Sequence, residues 1–474
     1  MKNRKKYSPV KPLNWVSFIA ILFTIGLGSC EKFIRIEPPI DQIVRANVFS
    51  DDAAAISAIR GIYSAMISEG FANGALSSAT YLLALSADEM KTTETKFQPP
   101  FYSNSLLAGT ENVYTIFWKQ PYTYIYYANA ILEGMAASTG MTAANKLQLE
   151  GEAKFVRAFC HFYLVNLFGD VPLVQTTDYQ QNRTISRTPA QQVYQQIIAD
   201  LLDAKEKLAG DYSISNTERI RPNKAVATAL LARVYLYTDD WANAETQASA
   251  VIGNSNYRLL DDLNQVFLKN SEESIWQLMT VTSSSINTYE GNIFIPVSNN
   301  WSRYVTSELL TAFEANDKRR EHWIGTYTST DGTNTITYYP FKYKISSGTT
   351  ITEYSMVMRL AEQYLIRAEA RAQQNKVTGA NSAETDVNTI RGRAGLNPTV
   401  ANTKAAMLLA IEQERRVELF TEWGHRWLDL KRTNRANAVL GALSYKNWQS
   451  TDVLFPINTT EMDNNPNLTQ NPGY

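Results

Sequence analysis

Cysteine and histidine are scarce in this chain of 474 residues: there are two cysteines, Cys30 and Cys160, and three histidines, His161, His322 and His425. A zinc site needs several such ligands converging, and no histidine here has a partner at metal-ligand spacing, so no metal is expected. Cys160 sits among Phe159, Phe162 and Tyr163 and reads as a small buried hydrophobe. Only His161 is close enough in sequence to activate it, and adjacent residues on a helix do not face each other. HExxH, GxSxG, a phosphate-binding GxxxxGK and GxGxxG are all missing, which removes the signatures of several hydrolases and of nucleotide and dinucleotide sites. No catalytic residue and no cofactor is expected. An excess of positive charge is missing too, with 45 basic against 46 acidic residues, which argues against a nucleic-acid partner. Beyond Cys30 no apolar run approaches the roughly 20 residues a membrane-spanning helix requires.

What is there begins with a leader. Lys2, Arg4, Lys5, Lys6 and Lys11 precede an apolar stretch from Trp15 to Leu27, with no acidic residue before Glu31. The stretch is short for a span and has the build of a signal peptide. It ends Leu27-Gly28-Ser29-Cys30, small residues before a cysteine, the pattern of a bacterial lipoprotein whose thiol carries a diacylglyceryl group. The expectation is a signal peptide over 1–29, lipidation at Cys30, and a leash over 30–50. Removing the five basic residues takes the formal charge from −1 to −6, and leaves Cys160 without a disulfide partner.

The remainder is 44% hydrophobic in the full-chain count, enough for a sizeable core, and much of it has helical periodicity. From Glu152, residues Phe155, Phe159, Phe162 and Val165 recur every three or four positions until Gly169-Asp170 stops the helix. Pro189 to Leu208 reads as a second helix with Thr188 as its N-cap and Pro189 in the first turn. Pro222 opens a third, carrying Ala227, Leu230, Leu231 and Val234. Asp239-Asp240 turns the chain into another stripe of Trp241, Ala244, Ala248 and Val251. This pair, Ala225 to Ile252, resembles a tetratricopeptide unit, with small residues where two helices cross. Leu360 to Ala372 and Ala383 to Arg393 form a second such pair, and units of this kind must stack to bury their faces. Tyr257 to Ser298 is irregular, Thr326 to Thr352 suggests a short hairpin around Thr335-Ile336-Thr337-Tyr338, and the tail after Asn458 is loop-like. Asp51-Asp52 and Asp261-Asp262 read as helix starts and turns, not as a calcium loop.

Six blocks then carry a family resemblance. They are Glu152-Ala-Lys-Phe-Val-Arg-Ala-Phe to Leu167-Phe-Gly-Asp-Val-Pro-Leu173, Arg221-Pro-Asn-Lys-Ala, and Arg359-Leu-Ala-Glu-Gln-Tyr-Leu-Ile-Arg-Ala-Glu-Ala370. They continue with Ile390-Arg-Gly-Arg-Ala-Gly-Leu396, Glu414-Arg-Arg-Val-Glu-Leu-Phe to Arg426-Trp-Leu-Asp-Leu-Lys-Arg432, and Leu454-Phe-Pro-Ile to Asn465-Pro-Asn-Leu-Thr-Gln-Asn-Pro-Gly-Tyr474. In this order they resemble the SusD/RagB outer-membrane lipoproteins of Bacteroidetes. The resemblance implies a mainly α fold, a tetratricopeptide-like helical-repeat superhelix with an irregular loop-rich half and a few short strands. It implies one domain over 30–474, with the repeat helices mainly in 50–255 and 355–435 and the ligand region at about 257–352. It further implies a nutrient-binding, non-enzymatic protein lipid-anchored in the outer membrane and facing the cell exterior. Such a protein takes glycans and works with a SusC-like TonB-dependent transporter. Peptide or another nutrient is the alternative cargo; a surface glycoside hydrolase and a purely structural scaffold are further alternatives.

Within these blocks, Glu414, Arg415, Arg416 and Glu418 can pair on one helix or with a neighbour, and Trp423, Trp427 and Leu430 read as core. Ligand residues are expected outside them, since sugar rings lie flat on aromatics and their hydroxyls want amides, carboxylates and guanidinia. Four loop-like clusters qualify: Phe97 to Tyr102 with Asn104; Tyr289 with Asn287 and Asn292; Asn299-Asn300-Trp301-Ser302-Arg303-Tyr304; and Trp323 with Tyr327. The family draws its site from an early loop and from the region before the later helix pairs, which favours the first and third clusters. Where many glycan-binding members carry tryptophan in the early loop, this chain has Phe101 and Tyr102. The expected ligand set is Trp301, Arg303, Asn300, Tyr304, Phe101, Tyr102, Tyr289 and Trp323, and Trp301→Ala is expected to weaken binding with little loss of thermal stability.

Overall fold

The structure, a computed structural model, describes residues 48–68, 70–136, 138–280, 285–299 and 301–474. The expected signal peptide over 1–29, Cys30, all but the last three residues of the expected leash over 30–50, and Asn300 lie outside the described residues. The main helices are α1 (Asp52–Ser68), α2 (Ala79–Ser86), α3 (Gln120–Ala136), α4 (Ala143–Phe168), α5 (Ala190–Lys207), α6 (Lys224–Tyr237) and α7 (Trp241–Ile252). They continue with α8 (Leu360–Gln373), α9 (Ala383–Arg393), α10 (Lys404–Glu418) and α11 (His425–Arg432). Each of α3 to α10 packs on the next, so the scaffold is a stack of neighbours, the mainly α repeat architecture expected.

Local chemistry sets the helix ends. Gly169, at φ 73°, ends α4. Asp239, at φ 58°, turns the chain, and Asp240 accepts from the Asn243 amide to open α7. Ser382 and Thr385 form a reciprocal capping box at the start of α9. Small residues allow close approach where α6 meets α7 and α8, and Ala227, Ala229, Ala232, Ala244 and Ala361 are all buried.

Two caps differ from expectation. Thr188 does not cap α5, because its backbone bridges Val171; Asp170 reaches over instead and accepts from the Ala190 amide at 2.8 Å. Pro222 is not the opening residue of α6; Asn223 caps it, accepting from Val226 N at 3.0 Å. The tail after Asn458 also holds more structure than expected. It forms a short helix, Thr459–Asn464, and then Asn471 is buried with its side-chain amide donating to Phe168 O and Phe455 O.

Among the described residues three two-stranded antiparallel ladders complete the fold. β1 (Met90–Thr92) pairs β3 (Arg303–Val305), β2 (Ser274–Leu278) pairs β6 (Ser355–Arg359), and β4 (Ile324–Thr328) pairs β5 (Ile336–Pro340). The last is the expected hairpin, wider than its predicted centre.

A buried charge network joins these ladders to the scaffold. Arg359, at the junction of β6 and α8, donates to Glu273, Glu418 and Glu422. Arg393 of α9 reaches Glu273 and Glu418, and Arg319 reaches Asp317, Glu414 and Glu418. Lys342, just after β5, donates to Glu418 O at 2.9 Å and Phe420 O at 2.8 Å. The charged residues of α10 therefore pair outward: Glu414 with Arg319 and Arg391, Arg415 with Asp429, and Arg416 with Asp88.

Candidate functional site

The β1–β3 ladder decides the geometry of the ligand face. Lys91 stands opposite Tyr304 and Thr92 opposite Arg303, so two segments more than 200 residues apart in sequence leave one sheet edge together. The pairing continues past the strands: Thr93 N donates to Ser302 O at 3.1 Å, and Ser302 Oγ donates to Glu94 Oε1 at 2.8 Å. The hairpin β4–β5 joins from the side. Asn299 ties it in, accepting from the Tyr327 hydroxyl at 2.6 Å and from Thr330 N at 3.0 Å. The start of the early loop, up to Glu94, the late loop and the hairpin are thus joined in one surface.

The expected site residues divide on this surface. Trp301 is only 7% exposed; its indole donates to Arg303 O at 2.7 Å, and the Arg303 guanidinium lies over its ring at 4.6 Å. Arg303 also donates to Ile293 O, while its Nε is buried with no hydrogen-bond partner among the described residues. Tyr304 is half-buried, with its hydroxyl on Trp301 O and Lys91 Nζ 5.9 Å from its ring. Burial pushes the hydroxyl of the neighbouring Tyr81 up to about 12, with the Thr92 hydrogen bond and the Arg303 charge opposing. Trp301 therefore braces Arg303, which like Glu94 is half-buried, while Lys91, Thr93, Val297 and Asn299 around them are exposed. Trp301→Ala removes packing as well as any ligand contact, so the expected separation of binding from stability does not follow.

Phe101 is not presented to a ligand. The short helix Pro99–Tyr102 turns it inward against Phe117 and Phe455, both at 6.0 Å, and it is fully buried. Tyr102 is half-buried and stacked on Tyr445 at 5.0 Å and 5°, with Lys446 beside both rings. Trp323 is fully buried too. Its indole donates to Leu263 O, and Lys342 Nζ lies 4.9 Å from its ring, within the charge network. Tyr289 is half-buried at the start of the helix Tyr289–Phe294. In the same cluster Asn287 is a buried brace, accepting from Thr352 N and Glu353 N and donating to Thr350 O. Reasoning from sequence missed Glu94 and Lys91, whose signal is only their register against the late loop.

Cavities of about 640, 570 and 450 Å³ open elsewhere on the molecule. Among the described residues no three His, Cys, Asp or Glu side chains are grouped to hold a metal ion, and no helix is long and apolar enough to cross a membrane.

Comparison with known proteins gives the frame. Residues 71–236 match a family described as starch-binding and associating with the outer membrane, and residues 234–474 match the SusD family. The SusD-like protein P2 of Formosa agariphila is 29% identical over 97% of this chain and 99% of its own length. The starch-binding protein SusD of Bacteroides thetaiotaomicron is 25% identical over 71% of this chain and 74% of its own. A SusD superfamily protein of Bacteroides vulgatus has the same fold, with a TM-score of 0.77 over 90% of this chain and 99% of its own at 20% identity. With its repeat scaffold, its ordered sequence blocks and a family match across half its length, this chain belongs to the SusD family.

Proposed function

We propose that this chain is a cell-surface, lipid-anchored subunit that binds glycan chains and passes them to a SusC-like TonB-dependent transporter. The observation that carries the reading is the β1–β3 ladder, which builds one face from the start of the early loop, the late loop and the hairpin. That face offers a guanidinium at Arg303, an amide at Asn299 and a carboxylate at Glu94, and Phe97, three residues beyond Glu94 in the chain, is an exposed ring. A flat apolar ring and several hydrogen-bonding groups match a pyranose, which has C–H faces and hydroxyl edges. The starch-binding description of the matched family and of the Bacteroides thetaiotaomicron relative supports a saccharide. The leader ending at Cys30 supports the lipid anchor.

Calorimetry against a panel of neutral oligosaccharides, with product analysis of each mixture, tests the reading. Binding is expected with the oligosaccharide left intact, and Arg303→Ala and Asn299→Ala weaken it about tenfold, or ~1.4 kcal/mol. Shortened product would instead mark a hydrolase. Cys30→Ser is expected to move the protein out of the membrane fraction, and the native lipoprotein to co-purify with a TonB-dependent transporter.

A further inference from the structure

Among the described residues four large aromatic side chains are exposed: Phe97, Tyr126, Tyr127 and Tyr179. Two of them, Tyr126 and Tyr179, line a groove that shares no lining residue with the β1–β3 face, and Tyr127 lines its continuation. Trp118, Tyr122 and Tyr126 follow one another at four-residue spacing, from a π-helical stretch, Val113–Lys119, into α3. Such stretches are rare and recur at functional sites. Trp118 is buried and forms the floor, with Tyr122 against it at 5.2 Å. Tyr122 is pinned, because its hydroxyl donates to Pro172 O at 2.8 Å. Tyr126 (50% exposed) rises from α3, and Tyr179 (69% exposed) comes from the short helix Tyr179–Asn182 on the other side of the chain's excursion after α4. The groove holds about 570 Å³, and a second depression of about 440 Å³ continues it along α3 past Tyr127, sharing Trp118, Tyr122, Tyr126 and Glu461.

We propose that this tyrosine groove is a second saccharide site, taking a neutral oligosaccharide laid along α3 with its rings against Tyr126 and Tyr179. Three features favour that occupant. The exposed apolar surface is aromatic and flat, and the hydroxyls of Tyr126, Tyr127 and Tyr179 make no hydrogen bond among the described residues. The rim carries Asn464, Arg183 and Glu461, a mixed set suited to hydroxyl edges and not to one sign of charge. The volume lies in the range of small-ligand pockets, and the surface is concave, whereas a protein partner covers a broad patch of about 800 Å² on each side. The groove goes beyond the function proposed above and stands independently of it.

The test is hydroxyl-radical footprinting of the full chain with maltoheptaose, laminarihexaose, cellohexaose, xylohexaose and mannohexaose in turn. At least one is expected to protect Tyr126 and Tyr179, and the double variant Tyr126→Ala/Tyr179→Ala loses about tenfold of that affinity, or ~1.4 kcal/mol, with its melting temperature unchanged. Protection of these tyrosines persists in Arg303→Ala; if Arg303→Ala has no effect on any saccharide while the tyrosines stay protected, the β1–β3 reading fails and the groove stands. Absence of protection by every probe overturns the proposal. So does a double variant that binds every saccharide as before, including one that meanwhile loses a co-purifying membrane protein, which would mark the groove as a protein interface.

Discussion

Replacing Glu418 by glutamine keeps the volume and removes one charge from the point where three arginines meet. Oε1 accepts from Arg359 at 2.6 Å and also from Arg393, and Oε2 accepts from Arg319 at 3.1 Å. Glu418 is fully buried. Burial opposes its charge, but the guanidinia of Arg393, Arg359 and Arg319 more than offset this and hold its carboxyl well below the usual carboxylate range. Glutamine turns an N–H₂ toward one of these donors and leaves a buried guanidinium short of an acceptor and of its counter-charge. Breaking a buried pair on one side costs about 3–5 kcal/mol. For 474 residues the unfolding entropy is about 1 kcal/mol per kelvin, so the melting temperature should fall by about 4 °C. The sign with pH follows from the depressed carboxyl: its contribution is present above the ordinary carboxylate value and is lost as pH falls through the folded one. Urea denaturation of both proteins should show a gap that holds at neutral pH and narrows on acidification below about pH 4. A variant within about 0.5 kcal/mol of wild type at pH 7, or a gap that ignores acid, would refute the account. Because Lys342 hangs on the same helix end, amide exchange in β4–β5 should also quicken in the variant.

Three other outcomes are expected. Phe101→Ala should cost about 3–5 kcal/mol by leaving a cavity, while Phe97→Ala stays within about 0.5 kcal/mol of wild type and lowers saccharide affinity; paired melting and calorimetry separate the two. Glu89→Gln should flatten the fall in stability between about pH 4.5 and 8. Burial, and then Asp88, push the Glu89 carboxyl up to about 8, so its contribution is full below the ordinary 4.5 and lost as pH rises through about 8. Relative to acid pH, the change in the difference between the two proteins should reach up to about 5 kcal/mol by about pH 9 in urea titrations. Gly424→Ala should cost about 2–3 kcal/mol in thermal unfolding, since Gly424 sits at φ 72° and an added Cβ would meet Leu83 Cδ1 at 2.4 Å.

The helix pairs α6–α7 and α8–α9 are legible residue by residue. Their apolar spacing and the turn at Asp239-Asp240 are local, and Ala383–Arg393 begins and ends where the pattern says. The β1–β3 partnership is half legible: the two loops can be chosen as ligand loops, but their register is invisible. Phe101 and Trp323 look like ligand aromatics because each stands in a loop-like stretch. Each is removed from solvent by partners far along the chain, Phe455 in one case and Phe267 and Lys342 in the other. Tyr126 and Tyr179 escape notice for the converse reason. In a chain with 26 tyrosines, one more carries no signal. Within Tyr124-Ile125-Tyr126-Tyr127 the first two are buried and the last two exposed, a difference the helix phase suggests only once its packed face is known.

By itself the sequence determined the repeat helices and their breaks, because periodicity, caps and small residues act over one or two turns. It showed too that Glu414, Arg415, Arg416 and Glu418 stand close enough on one helix to pair there or with a neighbour. Only the tertiary structure decided with whom they pair, which aromatics face water, and that two short strands some 200 residues apart share one edge. Those outcomes depend on contacts between distant segments, and no local pattern encodes which of several equally apolar rings a distant neighbour will cover.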